Sequence, residues 1–185
     1  MTTGCPANRR IFHHEWDAIE YFYHKALYWF YQRADRQRAL RFCETLKKLL
    51  QRTSNAHEAI LGEAAWSLLY QVKGNLAKAI RYREREIKLI KRLWEISRGT
   101  PGEDVAFQQY DAEDLSDRLD LLAILYHEAG DLDKAICVLR ESEQFCQEHG
   151  IRFDGKDLLR DYLAEKNQLA TGTFGRLRKR SRSSA

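Results

Sequence analysis

The 185-residue sequence contains few residues that interrupt regular structure, with only two prolines and ten glycines. Long helices or strands can therefore continue without a break. No apolar run approaches the roughly 18–20 residues that cross a membrane, and the first ten residues lack the apolar stretch of a signal peptide. The four cysteines (Cys5, Cys43, Cys137 and Cys146) show no CxxC spacing. We therefore expect a cytoplasmic protein with reduced thiols and no membrane span.

Motifs that carry chemistry are also missing. There is no glycine-rich phosphate loop and no nucleophile elbow. One stripe of the first helix does combine histidines and carboxylates at one-turn spacing, as zinc or di-iron sites require. Its members are His13, Asp17, Glu20 and His24. The ExxH spacing of di-iron helices is absent and no second segment offers a matching set, so no metal, cofactor or enzymatic activity is predicted.

The net charge of +4 hides a strong asymmetry along the chain. Residues 1–55 sum to +5 and residues 56–102 to +4. Residues 103–149 hold thirteen acidic and three basic side chains, a sum of −10, and residues 152–185 sum to +5. An acidic block between basic blocks favours oriented contacts within or between chains.

Helical periodicity dominates, and no segment alternates as a half-buried strand would. The pattern predicts an all-α protein with helices over about 14–33, 36–52, 57–72, 76–97, 112–128, 132–149 and 156–169. The segment TSNAHE separates the second and third helices and offers Ser54 or Asn55 as an N-cap. Residues 97–111 form the one long predicted loop. We divide the chain into an N-terminal arm (1–13), a helical domain (14–170) and a basic disordered tail (171–185).

A repeat connects the predicted hairpins. The segment YQVKGNLAKAI (70–80) matches YHEAGDLDKAI (126–136) at seven of eleven positions, when Asn75 and Asp131 are counted as alike. A weaker copy, FYQRADRQRAL (30–40), has alanine at position 34, where the other copies have glycine. The glycine permits a tight turn, and the shared alanine allows close approach of the next helix.

This pattern resembles the tetratricopeptide repeat family in a variant with long helices. The residues that fit are Tyr70, Gly74 and Ala79 in one copy and Tyr126, Gly130 and Ala135 in the other. The resemblance implies a solenoid of about three helical hairpins over residues 14–149, closed by a C-terminal capping helix. The copies are offset by 40 and 56 residues against 34 in the standard repeat, and no proline closes a repeat.

The segment YFYHKALYWFY (21–31) holds seven aromatic residues in eleven, more than one buried helix face requires. On a helix, one broad sector of apolar residues suffices for the core. It contains Trp16, Ile19, Phe22, Tyr23, Ala26, Leu27, Trp29 and Phe30. A second, polar-aromatic stripe remains, and such mixtures are enriched at interfaces. Its members are His13, Asp17, Tyr21, His24, Tyr28 and Tyr31.

The family resemblance implies that the first helix of each hairpin lines a concave groove. The predicted partner-binding residues are Tyr21, His24, Tyr28, Tyr31, Gln32, Leu68, Gln71, Asp117, Asp120 and His127. Leu61, Ala64, Ile124 and Glu128 complete the groove. It would change from aromatic to apolar to acidic along its length, which suits a basic or amphipathic helix or peptide. We therefore expect a protein–protein interaction adaptor or regulatory subunit. Self-association and plain internal packing are the alternatives for the aromatic stripe.

A second kind of function follows from the basic residues of the fourth helix, which recur at spacings of three and four. They are Lys78, Arg81, Arg85, Lys88 and Arg92. The tail adds Arg176, Arg178, Lys179, Arg180 and Arg182. Together they make a nucleic-acid-associated accessory protein the alternative, although a solvated face is the simpler interpretation. Aromatic residues do not alternate with these cations, so base-specific recognition is not predicted.

Overall fold

A computed structural model describes residues 15–51, 56–99 and 112–171, with side chains for 17–51, 60–94 and 112–171. Within these ranges the chain is all helical, as predicted. The α-helices are α1 (Glu15–Leu27), α2 (Arg36–Leu50), α3 (Ala56–Val72), α4 (Leu76–Gly99), α5 (Ala112–Glu128), α6 (Leu132–His149) and α7 (Lys156–Ala170). None of these described helices is long and apolar enough to cross a membrane. The predicted N-cap at Ser54 or Asn55 lies outside the described residues, as does most of the predicted 97–111 loop.

The chain divides into two compact units. Unit 1 is Met1–Lys73 and unit 2 is Gly74–Ala185. Unit 1 contains α1 to α3, and unit 2 contains α4 to α7. Each unit has its own buried apolar cluster.

The core of unit 1 confirms the predicted buried sector of the first helix where side chains are described. Ile19, Tyr23 and Ala26 are buried. Phe22, Leu27, Trp29 and Phe30 are partly buried and pack against the same cluster. Apolar residues of the other two helices complete this cluster: Ala39, Cys43 and Leu46 of α2, and Leu61, Ala64, Ala65, Leu68, Leu69 and Val72 of α3. Burial therefore accounts for four of the seven aromatic residues in the 21–31 segment.

The three tight turns share a backbone conformation that supports the repeat alignment. Gly74 and Gly130 have φ of +78° and +82°, and Ala34, the aligned residue of the weak copy, has φ of +49°. Each is followed by a residue whose side chain caps the next helix. Asp35 accepts from the Arg38 N–H, Asn75 from the Lys78 N–H and Asp131 from the Lys134 N–H. The weak copy is thus a third instance of one turn, although its left-handed residue carries a Cβ atom.

The first hairpin differs from the prediction by an inserted π-helix. The sequence predicts one helix over 14–33, but α1 ends at Leu27 and a π-helix follows over Tyr28–Gln32. The Asp35 N–H donates to the Trp29 carbonyl, 2.8 Å away and six residues back, whereas Asp131 donates to the Tyr126 carbonyl only five back. The first hairpin therefore contains one extra residue, which 3.6-residue periodicity does not reveal.

Unit 2 contains a buried charged group that the sequence does not indicate. Arg83 and Glu86 of α4 are almost wholly buried and form an ion pair. Glu86 Oε1 also lies 2.7 Å from Nε of Arg118, which is mostly buried on α5. Because a buried charge is costly without a partner, this Arg–Glu–Arg group fixes which side of α4 faces α5.

The three described cysteines differ in their burial. Cys43 and Cys146 are buried, and burial raises the pKa of the Cys43 thiol to about 12. Cys137, by contrast, is exposed on α6. A cysteine within a helical pattern therefore does not by itself predict burial.

The turn geometry predicts opposite effects for two matched substitutions. Ala34→Gly should raise the free energy of unfolding by up to about 1 kcal/mol, because glycine relieves the left-handed strain at this position. This gain exceeds the stability lost through the greater conformational entropy of glycine in the unfolded chain. Gly130→Ala should lower it by about 1 kcal/mol, because it introduces that strain in an otherwise open position. Urea unfolding measures both. A clear loss of stability in Ala34→Gly would contradict the shared turn.

The helix crossing in the third hairpin gives a second prediction. Ala135 is fully buried and belongs to one cluster with Ala123, Leu139 and Tyr162. Ala135→Leu should overpack this contact and lower the free energy of unfolding by about 1–3 kcal/mol. Cys137→Leu, at an exposed position on the same helix, is the control. Thermal melts that shift equally for both variants would show that the predicted close crossing is wrong.

Candidate functional site

The polar-aromatic stripe of unit 1 remains partly exposed. We define the aromatic face as Tyr21, His24, Lys25, Tyr28, Tyr31 and Gln32. Tyr28 and Tyr31 keep 39% and 38% of their surface exposed, and both lie in the π-helix. His24 and Gln32 are exposed, while Tyr21 is half-buried. The structure therefore leaves the aromatic end of the predicted groove open to solvent.

Lys25 joins two rings of the aromatic face, a role that the sequence analysis missed. Its Nζ lies 5.6 Å from the centroid of the Tyr21 ring and 5.9 Å from that of Tyr28. Both distances suit a cation–π contact. The spacing was visible in the sequence, because Lys25 follows Tyr21 by four residues and precedes Tyr28 by three. The Tyr21 and Tyr28 rings thus hold a cation at the protein surface.

A hydrogen bond attaches the aromatic face to α3. Tyr31 Oη donates to Gln71 Oε1 at 2.7 Å, and Gln71 is itself buried. Tyr31 therefore has a structural role in addition to its exposed ring edge. Tyr28, by contrast, contacts its neighbours through its ring, in an edge-on pair with Trp29 and in the contact with Lys25.

The apolar middle of the predicted groove does not fit the structure. Leu68 is completely buried in the unit 1 core. Leu61 and Ala64, the other apolar groove residues of this helix, belong to the same buried cluster. The α3 side that the family resemblance assigns to a ligand instead packs against α1 and α2. Leu68 therefore offers no surface to a partner.

At the acidic end, in unit 2, Asp117 is exposed but Asp120 is largely enclosed. Both oxygens of the Asp120 carboxylate lie beside Gly155, so closely that a Cβ atom there would be 2.7 and 2.8 Å from them. Burial raises the pKa of Asp120 to about 6, and the nearby Asp117 and Asp154 carboxylates act in the same direction, while a hydrogen bond from Ser142 opposes them. Asp120 thus belongs to the packing of the segment before α7.

The side chains beside Asp120 form a buried polar chain between α5 and α6. The Ser116 and Ser142 hydroxyl oxygens are 3.0 Å apart, and Ser116 Oγ is 3.1 Å from Cys146 Sγ. All three residues are buried. Their hydrogen-bonding capacity is used internally, which makes them a packing feature and not a reactive site.

His127, the last predicted groove residue, is covered in part by α7. Its Nε2 lies 2.7 Å from Glu165 Oε2, and its ring stacks on Tyr162 with centroids 4.2 Å apart. Neither α7 residue belongs to the predicted groove, because the family resemblance implies groove residues only on the first helix of each hairpin. Helix α7 therefore covers part of a surface that the sequence predicts to meet a ligand.

The candidate metal stripe contains a single close pair where it is described. His24 Nε2 lies 3.8 Å from Glu20 Oε1, and both side chains are mostly exposed. His13 lies outside the described residues. Across the described residues, no three histidine, cysteine, aspartate or glutamate side chains are grouped as metal ligands would be.

Neither a scan against models of known protein families nor a search of the curated proteins finds a match to this chain. The resemblance to the tetratricopeptide repeat family therefore remains a prediction from the residues that carry it. Any functional inference must come from the chain's own geometry.

The enclosed carboxylate predicts a specific pH dependence of stability. Because its folded-state pKa is raised to about 6, Asp120 destabilises the folded chain once it ionises. The contribution of protonated Asp120 to the free energy of unfolding is fully present below about pH 4, and it is lost as the pH rises through about 6. Asp120→Asn should therefore be more stable than wild type at pH 7.5, by no more than about 1–2 kcal/mol after solvent screening is allowed for.

Urea unfolding at pH 4.5 and pH 7.5 measures this difference. The advantage of Asp120→Asn should shrink or reverse at the lower pH. Asp161→Asn, at a mostly exposed position on α7, is the matched control. The assignment of Asp120 would be wrong if its variant gave the same difference from wild type at both pH values.

Proposed function

We propose that the chain is a protein-binding adaptor of helical-repeat type, related in organisation to tetratricopeptide repeat proteins. In this proposal, the aromatic face of unit 1 binds a basic or amphipathic segment of a partner. The observation that carries the proposal is the exposure of Tyr28 and Tyr31 within the 21–31 segment. Four other rings of this segment pack into the unit 1 core: Phe22, Tyr23, Trp29 and Phe30. Adjacent exposed tyrosines are the type of residue that dominates binding energy at protein interfaces.

The environment of Lys25 supports a basic partner. The Tyr21 and Tyr28 rings already hold an ammonium group at 5.6 and 5.9 Å. A lysine or arginine of the partner can exchange with Lys25 or stack on the open side of the same rings. The exposed His24 and Gln32 then provide the polar rim that surrounds such anchors.

The proposal is narrower than the groove expected from the sequence. It omits Leu68, which is buried, and it makes no use of Asp120 and His127, which pack against Gly155 and α7. A ligand of the aromatic face therefore needs only a short anchoring segment. Self-association through this face remains the alternative occupant.

The test compares the wild-type chain with Tyr28→Ala. Tyr28 is preferred to Tyr31 because the Tyr31 hydroxyl donates to the buried Gln71. Proteins retained by immobilised wild type and lost with Tyr28→Ala are identified by mass spectrometry, and their binding segments are titrated calorimetrically. We expect a loss of about 1–3 kcal/mol in binding free energy if the ring is an interface anchor.

Leu169→Ala removes an exposed apolar side chain elsewhere, 53% exposed on α7, and serves as control. It should retain every partner. Sedimentation of wild type and Tyr28→Ala tests self-association, which predicts a dimer in the first and a monomer in the second. If Tyr28→Ala melts at a much lower temperature while all binding persists, the ring is part of the core and the proposal fails.

A further inference from the structure

A straight line of cations on α4 is exposed to solvent. We define the basic stripe as Lys78, Arg81, Arg85, Lys88 and Arg92. All five side chains are exposed, at successive spacings of three, four, three and four residues. They extend over about 21 Å of helix axis. The stripe belongs wholly to unit 2 and shares no residue with the aromatic face.

The opposite side of α4 explains why the stripe faces outward. At 100° per residue, Arg83 lies about 180° from the centre of the stripe. Arg83 and Glu86 are buried, and Glu86 contacts Arg118 on α5. Because rotation of α4 would expose or break this ion group, the buried charges hold the stripe in place.

Most of the stripe lacks the acidic partners that the majority of the other described cations of unit 2 have. Lys91, one position before Arg92, contacts Glu141 at 2.5 Å, and Lys134 pairs with an aspartate. Within the part of the chain that the structure describes, four of the five stripe residues form no ion pair: Arg81, Arg85, Lys88 and Arg92. The nearby exposed Glu84 instead accepts a hydrogen bond from Tyr126 at 2.6 Å.

The chemistry of the stripe favours a phosphate backbone over an acidic protein. Protein interfaces depend on apolar or aromatic anchors, and the nearest ring, that of Tyr82, is half-buried beneath Arg85. Exposed ion pairs alone contribute little to affinity. A nucleic acid, however, releases condensed counterions for each phosphate neutralised, so a line of cations suffices. Three of the five are arginines, whose guanidinium groups bind phosphate in bidentate fashion.

The geometry points to a binding site on α4 for the phosphate backbone of a nucleic acid, without base selectivity. The site is independent of the proposed adaptor function, since it uses no residue of unit 1. Its signature is salt dependence: each phosphate contact contributes about 0.9 to the slope of log K against log salt for duplex DNA.

The test uses the full chain and a fluorescein-labelled mixed-sequence DNA duplex, with anisotropy measured from 50 to 200 mM NaCl. The triple variant Arg81→Gln, Arg85→Gln, Arg92→Gln removes three stripe charges. It should reduce the slope by about 2.7 and weaken binding at 100 mM salt by about tenfold or more. All chains keep residues 176–185, so any contribution of these basic residues is common to them.

The control triple variant, Arg41→Gln, Lys48→Gln, Arg140→Gln, removes the same charge from exposed positions outside the stripe. It should leave the slope within about one unit of wild type. If the two triple variants changed the slope and the affinity equally, binding would depend only on net charge, and the proposed site would be overturned. The absence of duplex binding by wild type at 50 mM salt would also overturn the site. Poly-glutamate is the second probe, and a chain that binds poly-glutamate but not the duplex would overturn it as well. Thermal melts establish that both variants fold.

Discussion

The helical repeats depend on one backbone constraint: each repeat turn requires a residue in the left-handed conformation followed by an aspartate or asparagine that caps the next helix. Gly74 and Gly130 adopt this conformation at little cost, and Ala34 adopts it despite its Cβ atom. The cap accepts an otherwise unsatisfied N–H at the start of the helix that follows. Two of these turns bring α2 back along α1 and α6 back along α5. Residues of α3 and α7 then complete the buried clusters of the two units.

The helices were predictable because their signals are local. The bounds of α5 match the prediction, and those of α2, α3 and α7 differ from it by one or two residues, since periodicity and turn residues act over a few positions. The π-helix was not predictable, because an inserted residue changes hydrogen bonding without changing composition. Nor was the Arg83–Glu86–Arg118 group, which depends on two helices meeting.

The candidate site was predictable only in part, for a related reason. Tyr28 and Tyr31 were identified because they exceed what the core needs, which one helix suffices to show. The roles of Leu68, Asp120 and His127 depend on which helices cover them. Leu68 faces the other helices of unit 1, Asp120 meets Gly155, and His127 meets Glu165. Such neighbours are distant in sequence, so a single helix face cannot reveal them.

The π-helix has a consequence for how the aromatic face can change over evolutionary time. The additional residue is accommodated within Tyr28–Gln32, the backbone makes its turn at Ala34, and Ala39, Cys43 and Leu46 of α2 are buried. At this bulge the Tyr28 ring is displayed beside Lys25, whereas Trp29 and Phe30 pack inward and the Tyr31 hydroxyl is held by Gln71. A substitution at position 28 therefore changes the surface with little effect on the interior, whereas substitutions at Trp29, Phe30 or Tyr31 also disturb packing or the bond to α3. The surface of this bulge can thus vary over evolutionary time mainly at a single position.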